Sequence, residues 1–246
     1  MRDFYLILPT KYNSIEDSRF KLFEKTIRNS SNHSYITRVI VVDSSHDRVY
    51  NHLKELDNSK IILLYQKDKT MLKGGSIREG IKYVVDNFSK DSVICFQEPE
   101  KENMIYHYHN ILVKYHLKKS FICVTQRTSS SFDTYPIEQV YSENFMNKYI
   151  SKLVNKTLDW SAGPVLFTCD KADYWLNFDG KLWDAQIIPL IEAIKNDEVI
   201  LTSLVCFEYP PEQKKEEEGN LNFIEKRRYQ LNYMVDAVVD YLKNNN

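Results

Sequence analysis

The stretch SVICFQEPEK, residues 92–101, changes character at its midpoint. Residues 93–96 are apolar, and then Glu98 and Glu100 bracket Pro99. A short continuous apolar run between polar residues is the pattern of a strand buried on both faces. Carboxylates just past the end of such a strand are costly unless a cation pairs with them. The stretch therefore predicts a central strand that ends at a charged site.

Working outward, similar runs recur with helical periods between them. FYLILP (4–9), TRVIVVD (37–43) and KIILLYQ (60–66) read as three further strands in the first hundred residues. Phe20, Phe23 and Ile27 give a helix over 19–30. Val49, Leu53 and Leu56 give a short one, and residues 76–88 a third. Buried strands alternating with helices predict an α/β fold with a mostly parallel central sheet and helices on both faces. Downstream, strands are expected at 121–127, 164–169 and 198–209, and helices at 137–157, 185–194 and 223–242. The segment PPEQKKEEEGN (210–220) reads as a charged, mobile loop. No internal repeat or linker divides the chain, so one domain is expected over 1–246, with a nucleotide-binding part (1–100), an acceptor part (101–210) and the loop with its C-terminal helix (211–246).

Composition narrows the class. With 43% hydrophobic residues in 246, a sizeable core can form. A net charge of -1 gives no excess positive field for nucleic acid or an anionic membrane. The four cysteines, Cys95, Cys123, Cys169 and Cys206, form no Cys-x-x-Cys pair and read as free thiols. No apolar stretch approaches the ~20 residues of a membrane span, and the N-terminal run is too short for a signal peptide, so a cytoplasmic protein is expected.

In open α/β sheets, ligands bind beyond the carboxyl ends of the strands. There the sequence places PTKYN, DSS, QKDKTMLKGGS and QEPEK. In KGGSIRE (73–79), Ser76 and Glu79 match a capping box, which starts a helix at Ser76. Gly74 and Gly75 would let an anion approach that helix end, beside Lys73 and Arg78. Without a ligand, the same residues make an ordinary strand-to-helix turn. Glu98 and Glu100 would both face a site if the chain is extended there. With diphosphate oxygens they suit Mn²⁺ or Mg²⁺. The other reading is a helix N-terminus with Pro99 in its first turn. Trp160, in DWSAGP (159–164), is either a sugar-stacking face or a core indole. Residues 127–136, rich in hydroxyls, form a recognition loop or a plain connector. His107 and His109 are two apart and point different ways on a helix, which argues against a shared metal.

Taken in order, LPTKYN, VVDSS, KGGSIREGI, VICFQEPEK and WDAQIIPL resemble the GT-A glycosyltransferases, particularly family-2-like enzymes. The resemblance spans about residues 4–210 and implies a GT-A fold acting on a nucleotide-diphosphate sugar. It implies a nucleotide site at Pro9, Thr10, Asp43, Lys73, Gly74 and Arg78. Glu98-Pro99-Glu100 stands where that family has its metal-binding Asp-x-Asp, so Mn²⁺ or Mg²⁺ is the implied cofactor. Asp184 matches the late general base. Trp160, Gly163 and Trp183 fall in the region that shapes the acceptor pocket, and the acceptor itself is unspecified. Here the motif has Glu for Asp with an intervening proline, Val42-Asp43-Ser44 replaces the usual Val-Asp-Asp, and FEYPPEQ has no histidine as a third metal ligand. Two alternatives stand beside this reading. One is a non-catalytic binding protein on the same scaffold. The other is a sugar-nucleotide nucleotidyltransferase, whose Gly-rich, Arg-containing loop after the first strand LPTKYNS lacks.

Overall fold

The computed structural model describes residues 2–56 and 59–245. Among them, seven strands form one sheet in the order β3-β2-β1-β4-β6-β5-β7. The strands are β1 (Phe4–Thr10), β2 (Arg38–Asp43), β3 (Ile61–Tyr65), β4 (Val93–Phe96), β5 (Ile122–Arg127), β6 (Val165–Thr168) and β7 (Ile200–Val205). β6 runs antiparallel to both neighbours, β4 and β5, and the other pairings are parallel. The expected mostly parallel α/β sheet is thus present.

The apolar runs become strands because each strand feeds two cores. Along β1 and β2, Ile7, Ile40 and Val42 point to one face of the sheet, with Ile94 and Phe96 of β4. Leu6, Leu8, Val39 and Val41 point to the other, with Cys95. This is the period-2 alternation of a strand with both faces covered. Helices α1 (Ser18–Asn32) and α2 (Asp47–Lys54) cover the second face, each sending apolar residues into that core. Asp17 caps α1 by accepting the Arg19 N–H. α3 (Leu72–Asn87) covers the first face, and α4 (Ile105–Tyr115) the second. Then follow α5 (Ser129–Phe132), α6 (Ile137–Val154), α7 (Asp173–Leu176) and α8 (Asp184–Lys195). α6 ends on Asn155 in the left-handed region, φ 54°. Finally α9 (Pro211–Glu217) leads into α10 (Leu221–Asn244), which packs along α6 and α8.

Two expectations are corrected. α3 starts at Leu72, one turn before Ser76, so there is no capping box. The Ser76 hydroxyl donates to the Leu72 carbonyl, and the Glu79 carboxylate accepts the Lys67 N–H. A local motif lost here to the longer helix, whose apolar face extends over β1. The segment 210–220 is not a loop. Pro211 occupies the first turn of α9, and Glu217 is buried between the Tyr209 hydroxyl at 2.7 Å and Arg227 at 3.0 Å. A tyrosine just before the segment and an arginine just after it hold Glu217, and the segment's own composition gives no sign of them. No helix of the described residues is long and apolar enough to cross a membrane.

Candidate active site

A cavity of about 390 Å³ opens beyond the carboxyl ends of β1 and β4. That is within the usual range for small-molecule sites, and this end of an open α/β sheet is where ligands bind. One wall consists of Pro9, Thr10 and Lys11 after β1, Ser44 after β2, and the first turn of α3 with Leu72, Lys73 and Ser76. Glu98, Pro99, Glu100 and Lys101 form the floor. The opposite wall carries Tyr135, Glu143, Trp183 and Tyr209, with Lys226 and Arg227 from α10. Leu72 has φ 47°, a backbone strain placed where α3 meets the cavity.

The charges on the floor are paired one by one. The Lys73 ammonium lies 2.7 Å from Glu98 Oε1, and the Lys101 ammonium 3.1 Å from Oε2. Burial pushes the Glu98 carboxyl up, but Lys101 and Lys73 outweigh it and hold it well below the usual carboxylate range. Glu98 Oε2 also lies against Gly163, where an added Cβ would come within 2.3 Å of it. Gly163 has φ 93° and so occupies a conformation that favours glycine on both counts. Glu100 Oε1 accepts from Arg19 Nη2 at 2.6 Å and Nε at 3.0 Å, and from the Tyr12 hydroxyl at 3.3 Å.

The strand-end carboxylates do meet at the cavity, but not on an extended chain: Pro99 and Glu100 form a turn in which the Lys101 N–H donates to the Glu98 carbonyl at 3.1 Å. Glu98-Pro99-Glu100 follows the strand after Gln97, and a 3-10 turn at Glu102–Met104 leads into α4 at Ile105. As arranged, these two carboxylates do not fit a divalent ion. Both oxygens of Glu98 face ammonium groups, and the Glu100 oxygen nearest Arg19 already takes three donors. Among the described residues no three His, Cys, Asp or Glu side chains cluster as a metal site.

The other expected residues divide between the cavity and its supports. Pro9, Thr10, Lys73 and Trp183 line the cavity. Asp43 does not: it is fully buried, and its carboxylate accepts from the Thr10 hydroxyl at 2.7 Å and the Ser45 hydroxyl at 2.7 Å. Burial raises the Asp43 carboxyl, and these hydrogen bonds work against the rise. Asp43 is in register with Thr10, so it ties together the ends of β1 and β2 that bound the cavity. Gly74 approaches the 180 loop instead of a ligand, since a Cβ there would lie 2.0 Å from the Gly180 carbonyl. Arg78 donates to the Phe178 and Gly180 carbonyls at 2.8 and 2.6 Å, bracing the same loop. Trp160 is a core indole, 4% exposed, with Nε1 donating to Ser151 Oγ. Asp184 is the first residue of α8, and its Oδ1 accepts the Leu182 N–H at 2.7 Å. It lies one residue beyond the cavity-lining Leu182 and Trp183, and burial together with its charge raises the nearby Tyr233 hydroxyl.

Several residues that line or support the cavity had no sequence signal. Arg19 comes from α1 and meets Glu100 across 81 residues. Arg127 ends β5 and is buried in a triad, with Glu143 at 2.6 Å and Asp159 at 2.8 Å. Burial pushes the Asp159 carboxyl up and Arg127 more than offsets it, leaving it low. Residues 127–136 thus serve as more than a connector: Arg127 holds Glu143 on the wall, and Tyr135 faces the cavity. The four cysteines are free thiols, three of them buried and Cys206 exposed. His107, on α4, contacts the Cys206 carbonyl, while His109 packs on Tyr35.

No protein-family model matches the chain. Nor does any curated protein sequence. Solved structures do match in fold. Glucosyl-3-phosphoglycerate synthase of Mycobacterium tuberculosis superposes with a TM-score of 0.60 at 13% identity, covering 96% of this chain and 80% of that one. The same enzyme in complex with UDP gives 0.57 at 12% identity, with the same coverage. Mannosyl-3-phosphoglycerate synthase from Rubrobacter xylanophilus gives 0.59 at 8% identity, covering 95% and 73%. A 4-diphosphocytidyl-2C-methyl-D-erythritol synthase from Anaerococcus prevotii gives 0.52 at 16% identity, covering 94% and 96%. The chain has the GT-A-like fold of the nucleotide-diphospho-sugar transferases.

Proposed function

We propose that this protein is a glycosyltransferase that moves a sugar from a nucleotide-diphosphate donor to an acceptor hydroxyl. The observation that carries this reading is the two-walled cavity at the carboxyl edge of β1 and β4. One wall presents the first turn of α3 and Lys73, a setting for a diphosphate. The other presents Trp183, a partly exposed indole on which a sugar ring or acceptor can pack, with the largely buried Tyr135 and Tyr209 in the same lining. Pro9 and Thr10, at the end of β1, border the nucleotide side.

In this reading the C1–O bond to the diphosphate breaks, and its electron pair stays on the phosphate oxygen. The acceptor oxygen forms the new bond to C1 and gives up its proton to a base on the acceptor side of the cavity. Positive groups around the leaving diphosphate stabilise the charge that develops there.

The segment after β1 favours this reading over nucleotidyl transfer. It holds no Gly-rich loop that could fold over a triphosphate. Instead Tyr12 is buried against Phe20 and Phe23 of α1, which pins the segment down. The two activities release different products. The protein, incubated with a panel of nucleotide sugars and candidate acceptors, is expected to release a nucleoside diphosphate. Release of pyrophosphate from a nucleoside triphosphate and a sugar phosphate would establish the nucleotidyltransferase reading. Binding without turnover of either kind would establish the non-catalytic one.

A further inference from the structure

We propose that the donor diphosphate is neutralised here by the ammonium groups of Lys73 and Lys101, not by a divalent cation, and that Glu98 serves to hold those two lysines. The inference rests on the nucleotide-sugar reading above and adds how the site meets the diphosphate charge.

Both Glu98 oxygens lie beside ammonium groups, although only Oε1 takes a hydrogen bond. Lys73 sits on one oxygen at 2.7 Å, Lys101 on the other at 3.1 Å, and Gly163 closes the remaining side. Glu100 Oε1 is committed to Arg19 at 2.6 Å. A dication bridging the two carboxylates would have to displace an ammonium and a guanidinium, then remain beside both against their repulsion. Two lysine ammonium groups carry together the charge of one such ion. They are also fixed in place before any ligand arrives. Lys101 donates to the Ala162 carbonyl as well, and Lys73 reaches Gln186 Oε1 at 3.3 Å. Their side chains are only 17% and 20% exposed, so their charges act in a partly desolvated site. When the C1–O bond breaks, the electron pair adds negative charge to the diphosphate beside these groups. Lys11 and Arg19 line the same cavity and add to the positive field.

The two accounts of Glu98 predict opposite signs. A metal ligand converted to an amide loses cation and nucleotide together. A carboxylate that holds lysines also offsets part of their charge; glutamine keeps an oxygen for them and removes that offset, so Glu98→Gln strengthens diphosphate binding. The test is calorimetric titration of UDP, GDP, ADP, CDP and dTDP in chelator and in Mn²⁺, carrying the tightest binder forward. Its affinity is expected to agree between the two conditions within about twofold, to tighten about threefold or more in Glu98→Gln, and to weaken about tenfold or more in Lys101→Met. If Lys101→Met alone does not fold, the double variant Glu98→Gln/Lys101→Met removes both members of the pair and is compared with Glu98→Gln. Binding that requires Mn²⁺, or that weakens in Glu98→Gln, overturns the inference and leaves the nucleotide-sugar reading standing. If none of the diphosphates binds in either condition, that reading fails, and this inference with it.

Discussion

Gly163 shows how single residues set the site. Its φ of 93° and its contact with the Glu98 carboxylate leave no room for a side chain. Gly163→Ala is expected to cost about 1–3 kcal/mol from the backbone conformation alone, with the displaced carboxylate adding to it. Chemical denaturation measures this, and an unchanged midpoint would mean that the turn relaxes freely. Asp184 is the opposite case: its resemblance-based role is catalytic, while its carboxylate is engaged in a turn. Asp184→Asn keeps an oxygen for the Leu182 N–H, so the melting temperature is expected to hold. Turnover is expected to stay within about tenfold of wild type, whereas removing a general base costs about 10²-fold or more. A loss of that larger size in a steady-state assay would return the base to Asp184. At this scale the sequence was partly legible. It showed that Glu98 and Glu100 meet charge at a strand end. It did not show which charge, because Lys73 and Arg19 reach them from other elements. Lys101, three residues after Glu98, was in plain view but reads as an ordinary surface lysine until Ala162 is seen beside it.

Among the elements, strands were more legible than helix starts and the C-terminal segment. β1, β2 and β4 are continuous apolar runs, and burial on both faces leaves that pattern no other use. α3 was misread by one turn because Ser76 and Glu79 match a local cap, while Leu72 starts the helix in a strained conformation that no propensity favours. α9 and α10 were obscured by charge. Glu217 and Arg227 look solvent-facing in sequence, yet they pair in a largely buried position. Lys226, beside them on the cavity wall, gives this element a test. Burial, with Arg227 and Arg19 close by, pushes its ammonium down to about 8, from 10.5 in an exposed chain. Between these values the unfolded chain binds more protons than the folded one, so stability contributed by this group rises with pH across that window. Below pH 8 the ammonium is charged in both states and its cost to folding is full. Lys226→Met is therefore expected to raise the melting temperature at pH 7 and to flatten the rise between pH 8 and 10. A lower melting temperature at pH 7 would show that this ammonium stabilises α10.

For the whole molecule, the alternation of strands and helices in the first hundred residues was sufficient to predict the α/β architecture. The second half was less regular because β6 reverses direction between β4 and β5, and its short run carries no sign of that reversal. The sheet order brings the ends of β1 and β4 side by side, while α6, the segment before α8 and α10 supply the facing wall. The site is thus assembled from residues spread between Pro9 and Arg227, which explains why sequence motifs located one wall and missed the other. The buried Arg127–Glu143–Asp159 triad supports that missed wall through Glu143. Arg127→Met would leave two carboxylates buried without their cation, and is expected to cost about 3–5 kcal/mol, read as a loss of the cooperative unfolding transition near physiological temperature. A variant with wild-type stability would show that the triad is open to water. The central claim is that this cavity holds a nucleotide diphosphate, and a crystal structure with the tightest-binding nucleoside diphosphate tests it most directly. The account predicts the diphosphate within about 3 Å of the Lys73 ammonium at the start of α3, with the nucleoside over the ends of β1 and β2. A nucleotide bound elsewhere, with this cavity filled only by solvent, would contradict it.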